Sequence, residues 1–277
     1  MHRPLPLTCL LTMLVQLTAG AAVAGDWRSG WGIASSPGAA VPADEALARL
    51  RLATGPTGTR PVLDNLTAGP VQVRLQAAAA PAVQTYLLRA GQQLPVPATV
   101  SAGWRLDAVP GTPQASAADV AYQLPFATAP VRVHQGFDGH YSHSDDENRY
   151  ALDFPLPEGT PVLAARAGMV MQVIDHHLGN HQDPARRGHG ANLVRVLHDD
   201  GSMALYAHLR AGSAQVRPGQ KVTVGQPLAA SGNTGFSTAP HLHFAVQLNR
   251  GLHLESVPFR LDGPHGELRL PRATAAP

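Results

Sequence analysis

The chain of 277 residues has a single cysteine, few aromatic residues and little net charge. Cysteine occurs only at position 9, which excludes a disulfide framework and a zinc site built from thiolates. Aromatic residues make up 5% of the chain and the formal net charge is +2 at pH 7. Nucleic-acid binding needs a basic face with stacking rings, so we expect no nucleic-acid partner.

Residues 1–24 have the pattern of a secretory signal peptide. His2 and Arg3 precede an apolar run at 7–17, and Ala22-Val23-Ala24 forms a small-residue cleavage site. Polar residues within the run make it a poor membrane-spanning helix, so cleavage is expected rather than anchoring. The prediction is a mature protein that has no stable membrane insertion and is periplasmic or secreted.

Glycine and proline are abundant, at 27 and 25 residues, which favours a β-rich fold with many turns. Residues 25–59 are predicted to be loosely ordered, apart from a helix-like stretch at 44–52. Within residues 60–125, short runs alternate apolar and polar residues with period two, as in a small antiparallel sandwich. We expect this segment to be an accessory β-sandwich-like domain that folds independently, positions or restrains its neighbour and has no chemistry of its own. The runs are 71–75, 85–89 and 104–108.

Residues 126–263 differ from the first half because eleven of the 14 histidines lie between His134 and His243. Turn residues separate short apolar runs here, so we expect an antiparallel β domain and an all-β fold class for the chain. Residues 264–277 are predicted to be a flexible tail. The predicted strands are 160–165, 168–174, 192–197, 202–208 and 241–248.

The sharpest local feature is His241-Leu242-His243. On a strand, residues i and i+2 point to the same face, so both imidazoles would project together while Leu242 faces the opposite side. Such a pair could bind a metal with both imidazoles, or with one imidazole while the other acts as a proton-transfer base. The alternative is a polar strand face that carries two histidines without a chemical role. Tyr206-Ala207-His208-Leu209 offers a third histidine at the end of another strand.

Four motifs occur between residues 148 and 244: NRYALDF at 148–154, PEGTPV at 157–162, YAHL at 206–209, and SGNTG at 231–235 leading into HLHF at 241–244. Together they resemble the lysostaphin-type zinc metallopeptidase family of peptidoglycan endopeptidases, over about residues 126–263. The resemblance implies a secreted zinc endopeptidase that hydrolyses peptide cross-links of bacterial peptidoglycan with metal-activated water. A catalytically inactive cell-wall-binding or regulatory member of the same family is the alternative.

The resemblance also implies roles for particular residues. Asp153 and His243 would hold zinc, and His208 and His241 would be the catalytic histidines, with the general base not assigned between them. Family members commonly have their first histidine ligand four residues before the aspartate. This chain has Arg149 there, which cannot give up its proton and so cannot bind the metal.

We predict that His143 replaces the missing ligand. It is the upstream histidine nearest to Asp153, and the polar loop at 144–148 could carry it to the metal. Three alternatives remain open: His140 as the ligand, a carboxylate of this loop, because carboxylates also bind zinc, or an empty ligand position. The three acidic residues are nevertheless expected to form a solvated turn: Asp145, Asp146 and Glu147.

Residues 176–190 are polar and lie between predicted strands, so we expect a long loop that borders the site. The four histidines of this loop could form a second metal site. Their irregular spacing favours solvated side chains instead: His176, His177, His181 and His189.

Overall fold

The computed structural model of the protein describes residues 45–56, 58–77, 83–97, 104–127, 130–183 and 190–271. The predicted signal peptide lies outside these ranges. All regular structure within them is β-strand, which confirms the all-β prediction. The described part of the chain contains no apolar helix long enough to cross a bilayer.

Two three-stranded antiparallel sheets form an N-terminal unit at residues 48–110. The first sheet has the order β1-β2-β5 and the second β4-β3-β6. Their apolar faces meet in one core, which gives the sandwich-like arrangement expected from period-two alternation. The strands are β1 (Ala48–Gly55), β2 (Gly58–Asn65), β3 (Val71–Ala77), β4 (Val83–Leu88), β5 (Gln93–Pro95) and β6 (Trp104–Pro110).

Strand β1 corrects the interpretation of residues 25–59. Its residues are extended and pair along their whole length with β2, so the helix-like stretch is wrong where the chain is described. Arg49 and Arg51 lie on the same face of β1 and form ion pairs with buried Asp64 at 2.9 and 2.7 Å. Long-range pairing therefore overrides the local helical tendency of this segment.

The described residues after position 110 form the predicted β domain, whose main sheet is antiparallel. The five strands expected from sequence are all present, with ends that differ by two residues or fewer. The observed strands are β7 (Ala121–Gln123), β8 (Leu152–Phe154), β9 (Pro161–Leu163), β10 (Gly168–Ile174), β11 (Asn180–His181), β12 (Leu193–Leu197), β13 (Met203–Ala207), β14 (Lys221–Val222), β15 (Pro227–Ala230), β16 (Gly235–Phe236), β17 (Leu242–Asn249), β18 (Leu254–Ser256), β19 (Arg260–Gly263) and β20 (Gly266–Glu267).

Seven of these strands form the main sheet, in the order β14-β10-β12-β13-β17-β18 with β8 also paired to β17. One edge of β17 pairs with β8 at the first residues of β17 and with β18 at its last residues. Strand β13 covers its other edge. Strand β17 is therefore the central element through which distant segments of the chain meet.

Alternation along β13 divides the side chains of the main sheet between two cores. Ala204 and Tyr206 belong to the core of the β domain itself. Met203 and Leu205 belong to the other core, where they join Leu75 of the N-terminal unit. The N-terminal unit and the main sheet thus share buried apolar surface.

Hydrogen bonds cross the same boundary. The Ala68 amide donates to the Met171 carbonyl at 3.1 Å, and the Asn249 side chain donates to the Gly111 carbonyl at 3.1 Å. Polar groups therefore form hydrogen bonds across this boundary, in addition to the apolar contacts.

Residues 264–271 correct the predicted flexible tail. The Leu268 amide donates to the Leu261 carbonyl at 2.8 Å, and the Phe137 amide donates to the Pro271 carbonyl at 3.0 Å. Leu268 and Leu270 also pack against the core of the β domain. Residues 272–277 lie outside the described part.

The shared core predicts how a fragment of residues 126–277 behaves on its own. Met203 and Leu205 lose their cover in this fragment, so we expect a lower Tm and stronger binding of a hydrophobic dye than in the mature full-length chain. Thermal unfolding and dye fluorescence of both proteins measure this. An equal Tm without dye binding would support the independent domain expected from sequence.

Candidate active site

The register of β17 brings the predicted site residues together. His243 lies opposite Asp153 of β8 on one edge and opposite Ala207 of β13 on the other. Leu242 and Phe244, on either side of His243, point into the core of the β domain. The alternation expected for His-x-His on a strand is therefore observed.

Two imidazoles converge on one carboxylate oxygen of Asp153. His143 Nε2 lies 3.3 Å and His243 Nδ1 lies 3.0 Å from Asp153 Oδ1. All three residues are buried, and their ligand atoms lie within 4.8 Å of one another. Two imidazoles and a carboxylate form a donor set that Zn²⁺ uses in catalytic sites.

The hydrogen bonds of His143 leave one ring nitrogen available to a metal. Its Nδ1 lies 2.9 Å from the Gly136 carbonyl, which can only accept, so the proton is assigned to Nδ1. Its buried Nε2 makes no hydrogen bond and keeps its lone pair. A histidine that donates one N–H to a carbonyl and presents the other nitrogen is the usual form of a metal ligand.

Electrostatics keep Asp153 anionic. Burial alone would raise the pKa of Asp153, but the adjacent His143 and His243 side chains hold that pKa well below its usual range. The carboxylate is therefore charged at neutral pH, as metal binding requires.

His208 and His241 stand beside this group of three residues. Their ring centroids are 4.4 Å apart, and the His208 ring centroid is 5.8 Å from that of His243. His208 Nδ1 lies 2.7 Å from the Thr234 carbonyl, and His241 Nδ1 lies 2.8 Å from the Ala239 carbonyl. Both carbonyls accept, which assigns the proton of each ring to Nδ1 and leaves Nε2 able to accept another.

His208 has an unusual backbone conformation and a lowered pKa. Its φ of 62° lies in the left-handed region, which few residues other than glycine adopt. Burial, followed by repulsion from His241 and His243, lowers the pKa of His208 well below its usual range. The imidazole is therefore neutral at neutral pH.

Gln135 is a site residue that sequence reasoning missed. Its Nε2 donates to Asp153 Oδ2 at 3.1 Å and to Ser142 Oγ at 2.6 Å. Its Oε1 accepts from the backbone amide of Tyr141 at 3.1 Å. Gln135 thus ties Asp153 to the turn that carries His143, and leaves Asp153 Oδ1 to the imidazoles. No motif of the sequence marks a glutamine for this position.

Neither His140 nor a carboxylate of the 144–148 loop belongs to this group of converging donors. Arg149 points toward Asp138 and Asp146, at 3.9 and 3.7 Å, and His140 is exposed. Asp145 Oδ1 accepts from the Asn148 side chain at 2.8 Å.

The acidic loop only partly matches the solvated turn expected from sequence. Asp146 is half exposed, with a side-chain exposure of 53%. Glu147 is completely buried, and its backbone carbonyl accepts from the Gln247 side chain at 3.1 Å. The expectation of a solvated turn is therefore wrong for Glu147, because this part of the loop packs under the main sheet.

The site opens into a cavity of about 460 Å³. Asp153, His208, His241 and His243 lie in its wall, and so do aromatic rings at its rim. Tyr141 and Phe236 stack there, with centroids 6.0 Å apart and ring planes at 15°. The cavity thus combines proton-transfer groups with apolar surface, as substrate sites commonly do.

Known proteins share most of the segment that builds this site. Residues 147–254 match the model of peptidase family M23. These residues form a peptidase family M23 domain. The match contains Asp153, His208, His241 and His243, but it begins four residues after His143. His143, the predicted first ligand, therefore lies outside the residues that the family model matches.

Relatives of the M23 domain include two named enzymes. The chain is 37% identical over 118 residues to peptidoglycan DD-endopeptidase ShyA of Vibrio cholerae, which covers 42% of this chain and 24% of the relative. It is 35% identical over 101 residues to lysostaphin of Staphylococcus simulans, which covers 36% of this chain and 18% of the relative. The chain thus spans a quarter or less of these relatives.

Among solved structures, the catalytic domain of the prophage-encoded M23 protein EnpA from Enterococcus faecalis matches with 23% identity and a TM-score of 0.37. That match covers 48% of this chain and 92% of the EnpA chain.

The ligand geometry predicts opposite results for two neighbouring histidines. Replacing His143 by Ala removes one of three converging donors, so we expect the Zn²⁺ affinity of this site to fall by more than about 100-fold. Replacing exposed His140 by Ala should leave the affinity unchanged. Zinc titration of the metal-free proteins, with circular dichroism to check folding, measures both. The reversed result would make His140 the ligand.

Gln135→Leu should weaken metal binding without removing a ligand. The substitution removes the hydrogen bond from Gln135 Nε2 to Asp153 Oδ2, so the carboxylate is held less firmly. The loss of such a supporting contact typically costs about 10–100-fold in metal affinity. Gln123→Leu, at an exposed glutamine in β7, is the matched control. Equal affinities in the two variants would show that Gln135 does not position Asp153.

Proposed function

We propose that this protein is a zinc endopeptidase that hydrolyses peptide cross-links of bacterial peptidoglycan. One observation carries the proposal: His143 Nε2 and His243 Nδ1 converge on Asp153 Oδ1, in a cavity whose wall also holds His208 and His241. Metal-assisted hydrolysis requires a set of metal ligands and nearby groups that transfer protons, and this cavity contains both.

The residues of the chain divide the work. His143, Asp153 and His243 would hold Zn²⁺, which supplies Lewis acidity toward a peptide carbonyl and toward water. Gln135 keeps the Asp153 carboxylate in position through Oδ2. Fixed hydrogen bonds of this kind hold a site ready for reaction, so that little reorganisation is needed.

His208 and His241 would move the protons. Each ring donates Nδ1–H to a backbone carbonyl and so presents an unprotonated Nε2. Either nitrogen can accept a proton from the attacking water, and a protonated ring can then donate to the leaving amine or stabilise the developing oxyanion. The lowered pKa of His208 favours its neutral, proton-accepting form.

The substrate and the location are inferred from relatives and from sequence. The ShyA and lysostaphin enzymes that the M23 domain resembles support a peptide of the cell wall as substrate. The apolar rim formed by Tyr141 and Phe236 suits the backbone and small side chains of an extended peptide. The signal-peptide pattern at residues 1–24 supports action in the periplasm or outside the cell.

An inactive cell-wall-binding or regulatory protein is the alternative considered for this chain. The observation that favours this alternative is Arg149, which occupies the position where family members commonly have a histidine ligand. The position of His143 beside Asp153 weakens this argument, because His143 would supply a third ligand from six residues further upstream.

Incubation with purified sacculi tests the proposal. We expect the mature, zinc-loaded protein to release muropeptides with cleaved peptide cross-links, identified by mass spectrometry. His208→Ala and His241→Ala should each lower this activity by about 100-fold or more while retaining zinc, since general acid–base groups contribute roughly that much. His253→Ala, at a half-exposed histidine elsewhere, should leave the rate unchanged.

Two outcomes would contradict the proposal. Glycan fragments as the only products would mean that the protein cleaves a different bond. Intact sacculi in the presence of zinc-loaded, folded protein would favour the inactive alternative.

A further inference from the structure

A second group of metal-ligating side chains includes two histidines of the β10–β11 loop. His177 Nε2 is 2.6 Å and His176 Nε2 is 3.4 Å from Glu45 Oε1. The ligand atoms of these three residues lie within 4.8 Å of one another. Among the described residues, this is the one such group besides the candidate active site.

Burial distinguishes this group from a chance surface cluster. The Glu45 side chain has no exposed surface, and that of His177 is 21% exposed. Solvated side chains were expected for the histidines of this loop, and that expectation is wrong for His177. A buried carboxylate needs a compensating positive charge within reach, either a protonated imidazole or a cation.

The backbone of His177 is held in place before any ligand binds. Its amide donates to Asn192 Oδ1 at 2.8 Å, and Asn192 Nδ2 donates back to the His177 carbonyl at 3.0 Å. Asn192 Nδ2 also donates to the Leu209 carbonyl at 3.1 Å. Because this buried amide anchors the loop to the segment that follows β13, the two adjacent histidines face Glu45 without further ordering of the chain.

The chemistry of the three donors indicates which ligand fits. Two imidazole nitrogens and one carboxylate oxygen suit borderline divalent ions such as Zn²⁺, whereas Ca²⁺ and Mg²⁺ prefer all-oxygen sites. His176 is 48% exposed, so water can reach the cluster and complete the coordination shell. We propose that Glu45, His176 and His177 bind a second Zn²⁺.

This second site would be structural, because of the elements that it joins. Glu45 precedes β1, while His176 and His177 follow β10. The same loop continues into β11, which pairs with β16, and Phe236 of β16 lies at the rim of the cavity. A metal here would fasten the N-terminal unit to the loop that borders the site. The proposal does not depend on the catalytic assignment.

Zinc stoichiometry of the full mature chain tests the proposal. We expect the metal-free protein to bind two Zn²⁺ per chain, and the nearly isosteric Glu45→Gln variant to bind one. Glu255→Gln, at a partly exposed glutamate, is the matched control and should bind two. Because Glu45 is buried, His176→Asn at a half-exposed side chain serves as a second variant and should also lose one ion.

A background without the catalytic ligand separates the two sites. In His243→Ala, one Zn²⁺ should remain and should raise the Tm, and adding Glu45→Gln should abolish both the binding and the shift. A single Zn²⁺ in the unaltered chain that is lost with His243→Ala would overturn the proposal. So would a second Zn²⁺ that persists in Glu45→Gln and His176→Asn, since that ion would be adventitious.

Discussion

The site depends on one strand register. Asp153, His243 and Ala207 lie side by side across β8, β17 and β13, and His208 follows Ala207 directly. A slip of one residue would turn His243 into the apolar core and bring Leu242 or Phe244 into the cavity. The apolar partners of the His-x-His segment therefore fix the chemistry as firmly as the histidines do, because their burial fixes the register.

The main sheet has no solvated face over its central strands. Residues of β13 and β17 are buried on both sides, one side against the β domain's own core and the other against the N-terminal unit or the site. A sheet buried on both faces reads as a nearly continuous apolar run, as MALYA in β13 does. Such a run predicts a strand but does not identify what covers it, so the shared core could not be foreseen from sequence.

Sequence predicted the parts of the site that depend on local pattern. Alternation gave the strands, and His-x-His gave a common direction for His241 and His243. The position of Gln135 could not be predicted, because it is defined by contacts with Asp153 and Ser142 that exist only after the chain has folded. The same holds for Glu45, whose histidine partners lie more than 130 positions away. The strand β1 was missed since its pairing with β2 outweighs its local composition.

The left-handed backbone of His208 sets stability against activity at one position. A histidine with a φ of 62° costs on the order of 1 kcal/mol that glycine would not. Glycine would therefore have the lower backbone energy at this position. Glycine, however, would remove the imidazole that donates to Thr234 and lines the cavity. A relaxed backbone and an imidazole in the cavity are therefore mutually exclusive at this position.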